Sequence, residues 1–131
     1  MFVDASAVTA IIAGEEERSG FIEKITAAPM AITSGVAVWE ASIAVSRLFD
    51  WDTDKALAEV RDYLRSVDVG VVVIGEVEAA LAVEAHQRFG KGRHRAKLNM
   101  GDCFSYACAR VHGVPLLFKG EDFALTDVEA A

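Results

Sequence analysis

The chain has 131 residues, 53% of them hydrophobic, and a formal net charge of -7 from 20 acidic and 13 basic side chains. That much apolar material is sufficient for one core, so a single domain over residues 1–131 is expected. Charge interrupts the uncharged stretches before they could span a bilayer, and the first basic residue, Arg18, comes well after Asp4. Neither a membrane span nor a secretory leader is expected, and the protein is expected to be cytoplasmic.

Phe2-Val3 opens a short strand that ends at Asp4. Ser6 is placed to cap the next helix, in which Ala7, Val8, Ala10, Ile11 and Ile12 are apolar and Gly14 is the stop. Glu15 to Ala28 reads as a second helix with an acidic first turn, Phe21, Ile22 and Ile25 facing inward, and Pro29 ending it. Ala31 to Thr33 is a short strand, and Ser34-Gly35 leads into a helix from Val36 to Phe49. Asp50-Trp51-Asp52 breaks that helix. Asp52 or Thr53 caps the following one, which runs to Ser66 with Leu57, Val60, Leu64 and Val67 on one side. Gly70 to Ile74 is an unalternated β-branched run, the pattern of a strand buried on both faces. Glu76 to Phe89 forms a further helix. A basic loop follows, then a helix beginning near Asp102 and stopping at Gly113, then the strand Leu116 to Phe118. A weak edge strand is expected from Ala124 to Val128. Short strands alternating with helices call for an α/β fold with a parallel sheet covered on both faces.

The charges are unevenly spread. No Asp or Glu occurs from Ala85 to Gly101, whereas Arg88, Lys91, Arg93, Arg95 and Lys97 all do. The net charge argues against nucleic acid, but this local run could hold phosphates immediately before Asp102. The acids have a pattern of their own. Ligands of an open parallel sheet bind beyond the carboxyl ends of its strands. Asp4 closes the first strand, Asp122 follows the fourth, and Glu40 and Asp102 lie near helix starts at that edge. Each acid has an ordinary explanation, Asp4 as strand-end cap, Asp102 as N-cap, Asp122 as turn former and Glu40 as an edge residue. It is not the favoured one for Glu40, which sits on the core-facing stripe of its helix with no cation three or four residues before it. Four acids gathered at one rim repel one another unless a cation neutralises them, and hard oxygen ligands select Mg²⁺ or Mn²⁺.

Other chemistries are poorly supplied. There is no GxSxG, Walker A or GxGxxG motif, and the three histidines have no Ser or Cys at a persuasive spacing. Cys103 and Cys108 fall on different faces of one helix and read as small core residues. Ser6, Ser34 and Ser105 read chiefly as caps, with a secondary option of supporting a metal water or a phosphate.

MFVDASAVTAII, ITSGVAVWEAS and LNMGDCFSYACARVHGVPLLFKGEDFALTDV together resemble the PIN domain family, and within it the VapC-type toxins of toxin–antitoxin pairs. The resemblance implies an α/β, three-layer PIN-like fold with a central, mostly parallel sheet of four or five strands flanked by helices. It implies a Mg²⁺-dependent endoribonuclease (Mn²⁺ substituting), a homodimer, an RNA substrate and inhibition by a small VapB-type antitoxin. Carried over by motif, the catalytic acids would be Asp4, Glu40, Asp102 and Asp122, with Asp4 and Asp102 the direct metal ligands. Ser6, Arg93, Arg95 and Lys97 would contact substrate. The chain departs from the family at Glu121, where Asn is more usual before the Asp. The competing expectation is a non-catalytic α/β interaction module whose acids are helix caps.

Overall fold

A computed structural model describes residues 1–131. The chain runs β1 (Phe2–Val3), α1 (Ala5–Ala13), α2 (Arg18–Ala27), β2 (Ala31–Ser34), α3 (Gly35–Phe49), α4 (Thr53–Ser66), β3 (Val69–Val72), α5 (Glu76–Phe89), α6 (Met100–His112) and β4 (Leu116–Leu117). All strand pairs are parallel, in the order β3-β2-β1-β4, with Phe2 opposite both Ile32 and Leu116. Because successive strand side chains point to opposite faces, neighbours in sequence feed different cores. Val3, Ala31 and Leu117 enter one layer with α1 to α4, whereas Phe2, Ile32 and Leu116 enter the other with α5 and α6. The expected three-layer α/β architecture is the one observed.

Two local expectations are corrected. The run Gly70 to Ile74 is not a strand buried on both faces. β3 lies at the sheet edge with β2 as its one neighbour, Gly70 and Val71 are exposed, and Val73, beyond its end, is 86% exposed. Ala124 to Val128 is not a strand. Phe123–Leu125 forms a 3₁₀ turn, and the tail meets the sheet later, through Leu116 N–H to Glu129 O at 2.8 Å and Ala131 N–H to Leu116 O at 3.0 Å. The second helix starts at Arg18, directly after the acidic run and three residues later than the expected Glu15.

Parallel pairing sends every strand's carboxyl end to the same edge. Asp4 follows β1, α3 starts directly from β2, and Lys119 to Asp122 follow β4. Since α6 runs back to the amino end of β4, its own N-terminus lies at that edge too. Thr33 fastens the middle of the sheet there, its buried hydroxyl donating to Val3 O at 2.8 Å.

Candidate active site

Asp4, not Ser6, is the N-cap of α1. It is 3% exposed, and its Oδ2 accepts from the Ser6 amide at 2.9 Å and from the Ser6 hydroxyl at 2.5 Å. The Ser6 oxygen in turn accepts from the Lys119 amide at 3.0 Å, so a residue after β4 helps fix a carboxylate after β1. Asp4 Oδ1 is fully buried and has no hydrogen-bond partner. An orphaned carboxylate oxygen is costly in a folded protein, and it marks a place where a cation or water is wanted.

Asp102 is not the N-cap of α6. Asn99 is, with its Oδ1 accepting from the Asp102 amide at 3.0 Å, while the Asn99 amide donates to Asp102 Oδ2 at 2.8 Å. This reciprocal capping box uses one carboxylate oxygen and aims the side chain. Burial pushes the Asp102 carboxyl up to about 6 against the opposing pull of the Asn99 amide, with the charges of Asp4 and Asp122 adding to the rise.

Glu40 projects from the second turn of α3, half-buried. Its carboxylate lies against the backbone of Gly101, so closely that a β-carbon at position 101 would overlap it. Burial first, then the charges of Asp4 and Asp102, push the Glu40 carboxyl up from 4.5 to about 7. Asp4, Glu40 and Asp102 are therefore one interacting set drawn from three elements. Asp122 sits exposed at its rim, preceding the 3₁₀ turn, and its charge is felt by Asp102. Glu121 is exposed, and it is not among the charges acting on Asp102 or Glu40.

No three acidic, His or Cys side chains converge as a complete set of cation ligands. The donors nevertheless fit a small hard cation that keeps much of its water and takes one or two carboxylates. The orphaned Asp4 Oδ1 and the Glu40 and Asp102 carboxyls, raised by burial and by neighbouring acids, are what such an ion would relieve.

The basic loop is a closed turn rather than a loose strand. Lys91 N–H donates to Leu98 O and Leu98 N–H to Phe89 O, both at 3.0 Å, while Ala96 and Leu98 are fully buried. This leaves Arg93, Arg95 and Lys97 exposed and without an ion pair, lining one cleft of about 550 Å³ with Lys91 and His94. Three contributors escaped the sequence reading. The Asn99-x-x-Asp102 spacing was a readable capping signal. The contact of Gly101 with Glu40 and that of Lys119 with Ser6 depend on tertiary approach and leave no local signature.

A comparison with known families matches the PIN domain over residues 1–129. The chain belongs to the PIN domain family. Among relatives of this PIN domain, Ribonuclease VapC of Mycolicibacterium smegmatis is 40% identical over 130 residues, covering 99% of this chain and 98% of the relative. Ribonuclease VapC30 of Mycobacterium tuberculosis is 36% identical over 128 residues, covering 98% and 95%. The fold also matches the solved structure of VapC20 from Mycobacterium tuberculosis, described as a sarcin-ricin loop cleaving toxin, with a TM-score of 0.75 at 20% identity over 99% of this chain and 97% of that one. A toxin–antitoxin complex from Klebsiella pneumoniae gives 0.73 at 18% identity, covering 99% and 95%. PIN-domain ribonucleases generally depend on a divalent metal, and VapC toxins pair with antitoxins. No helix of this chain is long and apolar enough to cross a membrane.

Proposed function

We propose that this PIN domain is a VapC-type endoribonuclease toxin in which Asp4, Glu40, Asp102 and Asp122 form the catalytic rim. One observation carries the assignment of roles: a buried carboxylate with a free oxygen, Asp4, lies beside two others whose ionisation burial makes unfavourable and its charge makes more so. Asp4 and Asp102 would hold Mg²⁺, with Mn²⁺ able to replace it. The ion would supply Lewis-acid activation of water and offset the charge developing on the scissile phosphate. Glu40, with a carboxyl near neutrality, is matched to accept the proton of the attacking water as the water oxygen bonds to phosphorus and the ester P–O bond breaks. Asp122 completes the acidic rim from its exposed position. The Ser6 hydroxyl is engaged by Asp4 and Lys119, so it serves this site by holding Asp4, and a substrate contact would have to share it. Arg93, Arg95 and Lys97 would hold the RNA backbone that the acids would otherwise repel.

A small VapB-type antitoxin is the partner expected to restrain the toxin, and a homodimer is the proposed assembly. The exposed Trp39 on α3 and Val71 and Val73 at the free edge of the sheet support an interface between copies. The rival reading has one observation behind it, since Asp4 caps α1 and Asp102 closes the capping box whose N-cap is Asn99. It leaves Glu40 without a purpose.

Replacing Asp4 or Asp102 by Ala is expected to abolish Mg²⁺-dependent cleavage of RNA and growth arrest on expression. Full activity in either variant would sink the ligand assignment. The same preparations, sedimented alone and with antitoxin, are expected to run as homodimers, and a monomer mass at working concentration would remove the dimer.

A further inference from the structure

Beside the acidic rim lies a second cavity, of about 480 Å³, between α5 and the start of α6. Val83, Met100 and Phe104 form its apolar walls, and Lys91, His86 and Asn99 supply its polar groups. Val83 and Met100 are 72% and 65% exposed, so the cavity opens to solvent along an apolar lip. Although 20 of the 131 residues are acidic, none lines it.

Its two neighbours give it meaning. Lys91 belongs both to this cavity and to the cleft of Arg93, Arg95 and Lys97, so the apolar pocket continues into an all-polar, cationic one. On the other side Asn99 holds Asp102 through the capping box, so the pocket wall and a catalytic acid share one rigid turn. An apolar slot with an aromatic wall and a few polar groups, joined to a cationic track, has the chemistry of a single-stranded nucleotide site, where the base stacks and the phosphates meet cations. The partially apolar lip would otherwise be unfavourable to expose.

We propose that this cavity takes one unpaired base of the RNA, next to the scissile phosphate, and so contributes sequence or position preference to cleavage. The proposal rests on the ribonuclease reading for the location of the scissile bond, and its binding test does not require cleavage. With EDTA present to prevent hydrolysis, fluorescein-labelled all-uridine and all-adenine RNA hexamers are titrated with the protein, each hexamer also carrying one abasic position moved stepwise along it.

For the unaltered protein, one abasic position is expected to weaken binding about tenfold, the others by little. The penalty at that position should disappear in Met100→Ala and Val83→Asp. Both residues are exposed, so these variants should keep the fold. A penalty unchanged in both variants overturns the proposal, as does a flat abasic profile in the unaltered protein. If Val83→Asp changes only the sedimenting mass, the patch is an interface between copies instead. Addition of Mg²⁺ separates the two readings. Cleavage with an unchanged penalty leaves the nuclease standing without this subsite. A pocket-dependent penalty without cleavage leaves a binding site and removes the nuclease.

Discussion

Asp4 and Asp102 each serve the fold as well as the proposed chemistry, one capping α1 and the other closing the capping box of α6. Glu40 has no such second duty, and its seat depends on a neighbour with no side chain. Gly101 follows Met100 in the first turn of α6, where a helix gains rather than loses from Ala, since Gly is about 1 kcal/mol worse than Ala in a helix. Gly101→Ala should therefore leave α6 formed and the Asn99–Asp102 exchange intact, yet push the Glu40 carboxylate out of place. Displacing a reacting group by about 1 Å can cost on the order of a hundredfold in rate, and a loss of that size in RNA cleavage is expected. Circular dichroism should match the unaltered protein. Full cleavage by Gly101→Ala would mean that Glu40 can act from another position.

At the scale of elements, the basic loop earns its place by being both pinned and unpaired. Buried Ala96 and Leu98 anchor it, so Arg93, Arg95 and Lys97 are presented together without the entropy loss of ordering a free loop on binding. Each contact with a single-stranded phosphate contributes about 0.7 to the slope of log affinity against log salt. Replacing all three by Ala should thus make that slope shallower by about 2, measured by fluorescence anisotropy on single-stranded RNA in EDTA. An unchanged slope would take the loop off the RNA path. The helices around this loop were legible because 3.6-residue apolar spacing and stop signals such as Gly14 and Gly113 act locally. The strand assignments failed where the outcome depends on the partner. Whether Gly70 to Ile74 is central or marginal follows from β3 having one neighbour, which its own composition cannot say. The tail after Asp122 likewise joins the sheet by position rather than by β-propensity, and a run of apolar residues there became a 3₁₀ turn.

For the molecule as a whole, strand polarity brings the four acids to one edge before any distance is known. Four parallel strands deliver the residues that follow them to one edge, which gathers Asp4, Glu40 and Asp122, and Asp102 joins them because α6 must run back from that edge to the amino end of β4. How closely each approaches the others required Gly101, Asn99 and the post-β4 segment. That closeness has a consequence for stability. In the unfolded chain Glu40 ionises near 4.5 and Asp102 near 3.8, whereas in the fold they do so near 7 and near 6. Between those values the folded protein holds more protons than the unfolded one, so metal-free stability contributed by these groups falls as pH rises from about 4 to about 7, and is level beyond. Groups with lowered values, such as Asp127 beside Arg88, act in the opposite sense, so the contribution is isolated by comparison with Glu40→Gln. The melting temperature of the metal-free protein should drop relative to that variant across pH 4.5 to 7. Because an ion that binds the ionised acids stabilises the fold by mass action, Mg²⁺ should raise the melting temperature at pH 7.5 more than at pH 5. An interaction module whose acids are only caps would give equal, negligible shifts at both, and that outcome would return Asp4 and Asp102 to purely structural work.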